Sequence, residues 1–136
     1  MANQEKTADP KRKSIVIIDD EKDILGSLSS YLERYGYSVE AVDNGQDGLK
    51  AVCDRKPDLV ILDLVLPDID GSDIAARLQQ DPLTSRIPII FLTCIVRKSE
   101  QPKPGRVGKR CVVAKPCSPA EILVRVRDII GPAQAP

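Results

Sequence analysis

Leu59-Val60-Ile61-Leu62 runs straight into Asp63, and the turn-forming stretch Leu66-Pro67-Asp68-Ile69-Asp70-Gly71 follows closely. A short apolar run bounded by turn residues fits a strand buried on both faces, the usual fate of a strand inside a parallel sheet. The same signature recurs along the chain. Ile15-Val16-Ile17-Ile18 stops at Asp19-Asp20, Pro88-Ile89-Ile90-Phe91-Leu92 at Thr93, and Cys111-Val112-Val113-Ala114 at Lys115-Pro116. Tyr37 to Val42 alternates instead, with Ser38 and Glu40 between apolar residues, as a half-exposed edge strand does.

Helical spacing fills the gaps between these runs. Ile24, Leu25, Leu28, Tyr31, Leu32 and Tyr35 recur every three or four residues and end at Gly36. Asn44-Gly45 reads as a turn before a shorter helix carrying Leu49, Val52 and Cys53. Ile74, Ala75 and Leu78 mark a third helix that stops near Asp81-Pro82. Ser118-Pro119-Ala120-Glu121 is a capping box with proline at the first helical position, and Ile122 to Ile130 carries that helix to Gly131. Between Cys94 and Arg110, Pro102, Pro104, Gly105 and Gly108 interrupt any helix, so a fourth helix in the alternation is short or absent.

Strands alternating with helices imply a parallel sheet with helices on both faces. The expected fold is α/β: a doubly wound five-stranded parallel sheet, order 2-1-3-4-5, flavodoxin-like, with the alternating second strand at an edge. At 136 residues one domain is expected over 14–131, with a flexible tail at 1–13 and a C-terminal tail at 132–136.

Composition narrows the chemistry. There is no histidine, which excludes Ser-His-Asp, Cys-His and imidazole–metal sites. Without tryptophan and with one phenylalanine, an aromatic platform for single-stranded nucleic acid is not expected. Twenty basic and twenty acidic residues cancel, so no global charge points to direct nucleic-acid binding or an anionic membrane. No apolar run is long enough to insert in a bilayer. Cys53, Cys94, Cys111 and Cys117 form no Cys-x-x-Cys pair, which fits a reducing, cytoplasmic setting, with Cys111 and Cys117 as packing residues. The glycine fingerprints of nucleotide-binding folds are missing.

In the order 2-1-3-4-5 the first and third strands are neighbours, roughly 4.8 Å apart. Asp19 and Asp20 therefore converge with Asp63 at the carboxyl edge of the sheet, where open α/β folds bind ligands. Two like charges about 4 Å apart cost on the order of 4 kcal/mol at an effective dielectric near 20. A proton or a cation must relieve them, and an all-oxygen ligand set suits Mg²⁺. Thr93 and Lys115 end the fourth and fifth strands at the same edge, adding a hydroxyl and a fixed positive charge. Singly each has a plainer explanation: helix caps for Asp19 and Asp20, a turn residue for Asp63, a strand-end threonine, a surface lysine. Together they form a phosphoryl-transfer site, in which catalysis is positioning and charge neutralisation.

At these residues the sequence resembles the receiver domain of two-component response regulators, over about residues 14–131. Ile17-Ile18-Asp19-Asp20-Glu21 is similar to the family's acidic pair, and Asp63 with Leu66-Pro67-Asp68-Ile69-Asp70-Gly71 to its phosphoacceptor turn. Thr93 and Lys115-Pro116 match its switch hydroxyl and its lysine before a cis proline. The resemblance implies that Asp63 accepts a phosphoryl group from a sensor histidine kinase or phosphotransfer protein. It also implies that Asp19, Asp20, Asp63 and the Val65 backbone carbonyl ligate Mg²⁺, while Thr93 and Lys115 bind the acyl phosphate. Such a switch is not a turnover enzyme; self-phosphorylation from small acyl phosphates and self-dephosphorylation are its only expected reactions. Val65 and Ile95, which flank the path of the attacking water in this family, are apolar here and predict a long-lived phosphorylated form.

The sequence departs from the family pattern in places. Val112 stands where the family usually has Phe or Tyr, and with no output domain read after residue 131 the expectation is either a protein that works alone or an isolated piece of a longer one. Arg97, Lys98, Lys103, Arg106, Lys109 and Arg110 stand against Glu100 alone, which predicts an irregular basic loop, either simply solvated or offered to an acidic partner surface. In the family, the face formed by the fourth helix, last strand and last helix binds a downstream protein or a second copy of the chain. Two other readings remain: a receiver-like docking module that never uses its phosphate site, and a Mg²⁺-dependent phosphohydrolase. Against the hydrolase, Val65 occupies the position two past Asp63 where aspartate-nucleophile phosphatases place a second Asp.

Overall fold

The computed structural model describes residues 12–94 and 111–133. In chain order these form β1 (Ser14–Ile18), α1 (Lys22–Arg34), β2 (Ser38–Val42), α2 (Gly45–Arg55), β3 (Leu59–Asp63), α3 (Gly71–Gln80), β4 (Ile89–Thr93), β5 (Cys111–Ala114) and α4 (Pro119–Ile130). The strands make one five-stranded parallel sheet in the order β2-β1-β3-β4-β5. The doubly wound arrangement expected from the sequence is therefore present. The segment in which a short or absent fourth helix and a basic loop were expected lies outside the described residues.

Side chains on a strand alternate between faces, and the apolar runs divide accordingly. Ile15, Ile17, Leu59, Ile61, Ile90 and Leu92 pack with Leu25, Leu28 and Leu32 of α1 and Ile122, Leu123 and Val126 of α4. Val16, Ile18, Val60, Leu62, Ile89 and Phe91 pack on the other face with Ala51 and Val52 of α2 and Ile74, Ala75 and Leu78 of α3. Every residue of β1, β3 and β4 is buried, whereas no residue of edge strand β2 is. Each fully buried Ile or Leu contributes about 1.5–3 kcal/mol, against about 1 kcal/mol for a helix cap. The central strands, not the caps, therefore fix the architecture.

Three local expectations need correcting. Asn44-Gly45 is not a free turn: Asn44 is the N-cap of α2, its side chain accepting from Asp47 N at 2.9 Å, and Gly45 is the first helical residue. Tyr37 does not belong to the half-exposed strand. It precedes β2 with no exposed surface, and its hydroxyl donates to Gly131 O at 2.7 Å. Tyr35 is not on the buried stripe of α1 but 43% exposed, pairing with Tyr31 at 5.0 Å between ring centroids and lying under the Arg127 guanidinium. Gly36 closes the helix at φ 100°, a conformation that favours glycine. Lys13 joins the two ends of the described chain: its N–H donates to Ala133 O at 2.8 Å and its carbonyl accepts from Ser38 N at 2.9 Å.

Gly71 sets how α3 meets β3. Its N–H donates to Leu64 O at 3.0 Å, and a Cβ there would overlap Asp63 O and come within 2.7 Å of Leu64 Cα. Those are backbone atoms, so nothing flexible can yield. Gly71→Ala is expected to lower the urea-unfolding midpoint by the equivalent of about 1–3 kcal/mol through overpacking. Gly26→Ala on α1, where a Cβ meets nothing within 4 Å, should instead raise the midpoint slightly. Equal midpoints for the two variants would contradict this account.

Candidate functional site

Parallel register brings the strand ends level. Ile18 pairs with Leu62, so the next residues, Asp19 and Asp63, leave β1 and β3 side by side. Thr93 pairs with Ala114, and Lys115 N–H donates to Thr93 O at 2.7 Å, which fixes the base of the lysine at the same edge. The sequence-predicted Asp19, Asp20 and Asp63 each offer a carboxylate oxygen within 4.8 Å of the others. Asp19 and Asp63 are buried, whereas Asp20 is exposed. Thr93 is buried at the end of β4.

The Lys115 ammonium lies 2.9 Å from Asp19 Oδ2, 3.1 Å from Asp63 Oδ2 and 2.6 Å from Glu21 Oε1. Backbone donors hold the remaining oxygens: Glu21 N–H on Asp19 Oδ1 at 2.9 Å and Val65 N–H on Asp63 Oδ1 at 3.0 Å. Val65 is itself 65% exposed at the rim. Asp19 Oδ2 is buried and has the Lys115 ammonium, 2.9 Å away, as its counter-charge. Burial pushes the Asp19 carboxyl above its ordinary range and the charge on Asp63 adds to this, while Lys115 and the Glu21 N–H oppose it. For Lys115, burial pulls the pKa down, but the contacts with Asp19, Glu21 and Asp63 outweigh it and the net shift is upward.

The donor set is all oxygen, partly open, and over-charged for one ammonium. A hard cation would fit here, with Asp19, Asp20 and Asp63 each able to offer one carboxylate oxygen. Two further acids serve the site without having been expected to. Glu21 could be noticed only as the third acid in Asp19-Asp20-Glu21. Asp68 clamps the start of α2, accepting from Gly45 N at 2.7 Å and Gln46 N at 2.9 Å, and these two bonds hold its carboxyl below the ordinary range. Val112 packs half-buried against the α2–α3 side of the core, and Cys111 and Cys117 pack against the other. Ile95, Arg97, Lys98, Lys103, Arg106, Lys109 and Arg110 lie outside the described residues.

Replacing Lys115 by Met keeps the stem and removes the charge. It should destabilise the fold at pH 7 by about 2 kcal/mol, less than loss of a fully enclosed partner because water reaches the Glu21 side. The raised Lys115 pKa means its contribution is complete below the ordinary lysine value and is lost only as pH rises through the higher folded value. Toward acid the gap between the variants should close as Asp19 takes up a proton. Urea midpoints measured from pH 4 to pH 8 check this; a gap that widens in acid would contradict it.

Comparison with known proteins identifies the family of the fold. The model of the response regulator receiver domain family matches residues 15–127. The phosphate regulon transcriptional regulatory protein PhoB of Pseudomonas aeruginosa is 36% identical over 129 residues, covering 91% of this chain and 56% of PhoB. Protein PilH of the same organism is 30% identical over 117 residues, covering 86% of this chain and 97% of PilH. The crystal structure of a putative response regulator from Chloroflexus aurantiacus superposes with a TM-score of 0.77 at 33% identity, covering 88% of this chain and 98% of that one. The chain spans about half the length of the curated transcription regulators that it matches.

Proposed function

The chain belongs to the response regulator receiver domain family, and we propose that it works as a phosphorylation switch with Asp63 as the phosphoacceptor. The observation that carries this reading is the Lys115 ammonium held against both Asp63 and the buried Asp19, with Asp20 beside them at the same sheet edge. Asp63 is the buried carboxylate at the strand end, and its Oδ1 is oriented by the Val65 N–H. In the transfer, an Asp63 oxygen attacks phosphorus in line. The new O–P bond forms as the P–N bond of a phosphohistidine breaks, and the leaving imidazole takes a proton from solvent. The upstream partner is accordingly a sensor histidine kinase or a phosphotransfer protein.

Lys115 and the Thr93 hydroxyl receive the phosphoryl oxygens, replacing charge repulsion with ion pairing and a hydrogen bond. Asp19, Asp20, Asp63 and the Val65 carbonyl would hold Mg²⁺, which supplies charge neutralisation for the incoming anion. Chemistry stays on the protein's own aspartate, and the product is a changed surface. Output through a downstream protein, rather than direct contact with nucleic acid, fits the even charge balance. No described helix is long and apolar enough to cross a membrane.

Incubation with acetyl phosphate and Mg²⁺ should add one phosphoryl group, detected by intact-protein mass spectrometry. Asp63→Asn and excess chelator should each abolish it. Equal labelling of Asp63→Asn would overturn the assignment, and cation binding without any labelling would favour a docking module. The phosphorylated protein should also decay slowly, because exposed, apolar Val65 cannot orient a water. Val65→Asn is expected to shorten its lifetime severalfold in a time course after donor removal; an unchanged lifetime would count against this role.

A further inference from the structure

Glu21 takes no part in the roles assigned above, yet it touches both charged partners of Asp63. Its N–H donates to Asp19 Oδ1, and its Oε1 is 2.6 Å from Lys115 Nζ, nearer than Asp19 at 2.9 Å or Asp63 at 3.1 Å. It stands at the N-cap of α1 but makes no side-chain cap bond. A carboxylate at a helix N-terminus ordinarily turns to the free amides and the positive end of the dipole. This one forgoes that and reaches a residue 94 positions away. Its side chain is 55% exposed, whereas that of Lys115 is 7% exposed. Glu21 is thus the solvent-side partner of an otherwise enclosed ammonium.

We propose that Glu21 is a positioning residue that holds the Lys115 ammonium toward the mouth of the site and selects against small anionic phosphodonors. The inference rests on Asp63 being the phosphoacceptor. Asp19, Asp20, Asp63 and Glu21 against one ammonium leave three uncompensated negative charges, and a divalent cation still leaves one. A small acyl phosphate meets that residual charge with little binding energy to offset it. A phosphohistidine on a protein surface brings its own contacts and is hindered less. Lys115 must also exchange a partner for the phosphoryl oxygens, and Glu21, at the shortest distance, competes for it. With acetyl phosphate the Asp63 O–P bond forms as the donor's acyl O–P bond breaks and acetate leaves, so no proton transfer masks the charge effect.

The test is the labelling rate of the full chain with acetyl phosphate and Mg²⁺, over a range of donor concentrations at low and high salt. Glu21→Gln keeps size and polarity at an exposed position and removes the charge. It should label about two- to fivefold faster at subsaturating donor and low salt, through a lower half-saturating concentration, the gain shrinking as salt screens the mouth. Glu21→Asp, which keeps the charge, should follow the unsubstituted chain in its salt dependence. A Glu21→Gln rate that is equal or slower, or a gain indifferent to salt, overturns the inference while leaving Asp63 as acceptor intact. Labelling that persists in Asp63→Asn overturns both.

Discussion

Everything at the carboxyl edge of the sheet depends on one ammonium. Asp19 and Asp63 leave adjacent strands buried and side by side, an arrangement that mutual repulsion and desolvation would forbid without a counter-charge. Lys115 supplies it from the far side of the sheet, two strands away from Asp63. Because its own N–H is bonded to Thr93 O, the position of the ammonium follows from the register between β4 and β5. A slip of one residue in that register would send the side chain to the wrong face and leave two buried carboxylates unpaired. The electrostatics of the site and the pairing of the sheet are therefore a single constraint.

Most of the architecture was legible because the apolar runs are uninterrupted. A strand covered on both faces needs a continuous apolar run, and β1, β3 and β4 have one of four residues each, broken only by Ser14 at the start of β1 and by Asp63 and Thr93 at the ends of β3 and β4; β2 needs less and shows less. The site was legible for a related reason, since an ionisable residue directly after such a run sits at the sheet edge. Local chemistry was less readable. Asn44-Gly45 has the composition of a turn, and only the placement of α2 against the sheet makes Asn44 a cap. Tyr37 looks like a strand residue until Gly131 arrives from the other end of the chain to take its hydroxyl. Glu21 and Asp68 carry ordinary surface acids in the sequence; their partners, Lys115 and the first amides of α2, lie far along the chain. Periodicity reports what an element buries, whereas these residues are defined by what a distant element brings to them.

The anchoring around Asp63 is lopsided, and that bears on which group can respond to a new charge there. On one side, the loop from β3 to α3 is pinned along its length. Val65 N–H holds Asp63 Oδ1, Gly71 packs without room for a side chain and bonds Leu64 O, and Asp68 is tied by both oxygens to the start of α2. Moving that loop breaks several bonds together, each about 1 kcal/mol or more when charged. On the other side stands an ammonium with three carboxylate partners. It can give up one oxygen and accept another without ever being left unpaired in a buried place. Under the proposed function, a phosphoryl group on Asp63 would replace a carboxylate oxygen with several anionic ones at nearly the same spot. The smallest rearrangement that would accommodate it is an exchange of partners at Lys115, whose backbone N–H is bonded to Thr93 O of β4. On the proposed role of Asp63, the signal would leave on the β4–β5 side of the sheet, where the lysine is attached, rather than through the turn that follows Asp63.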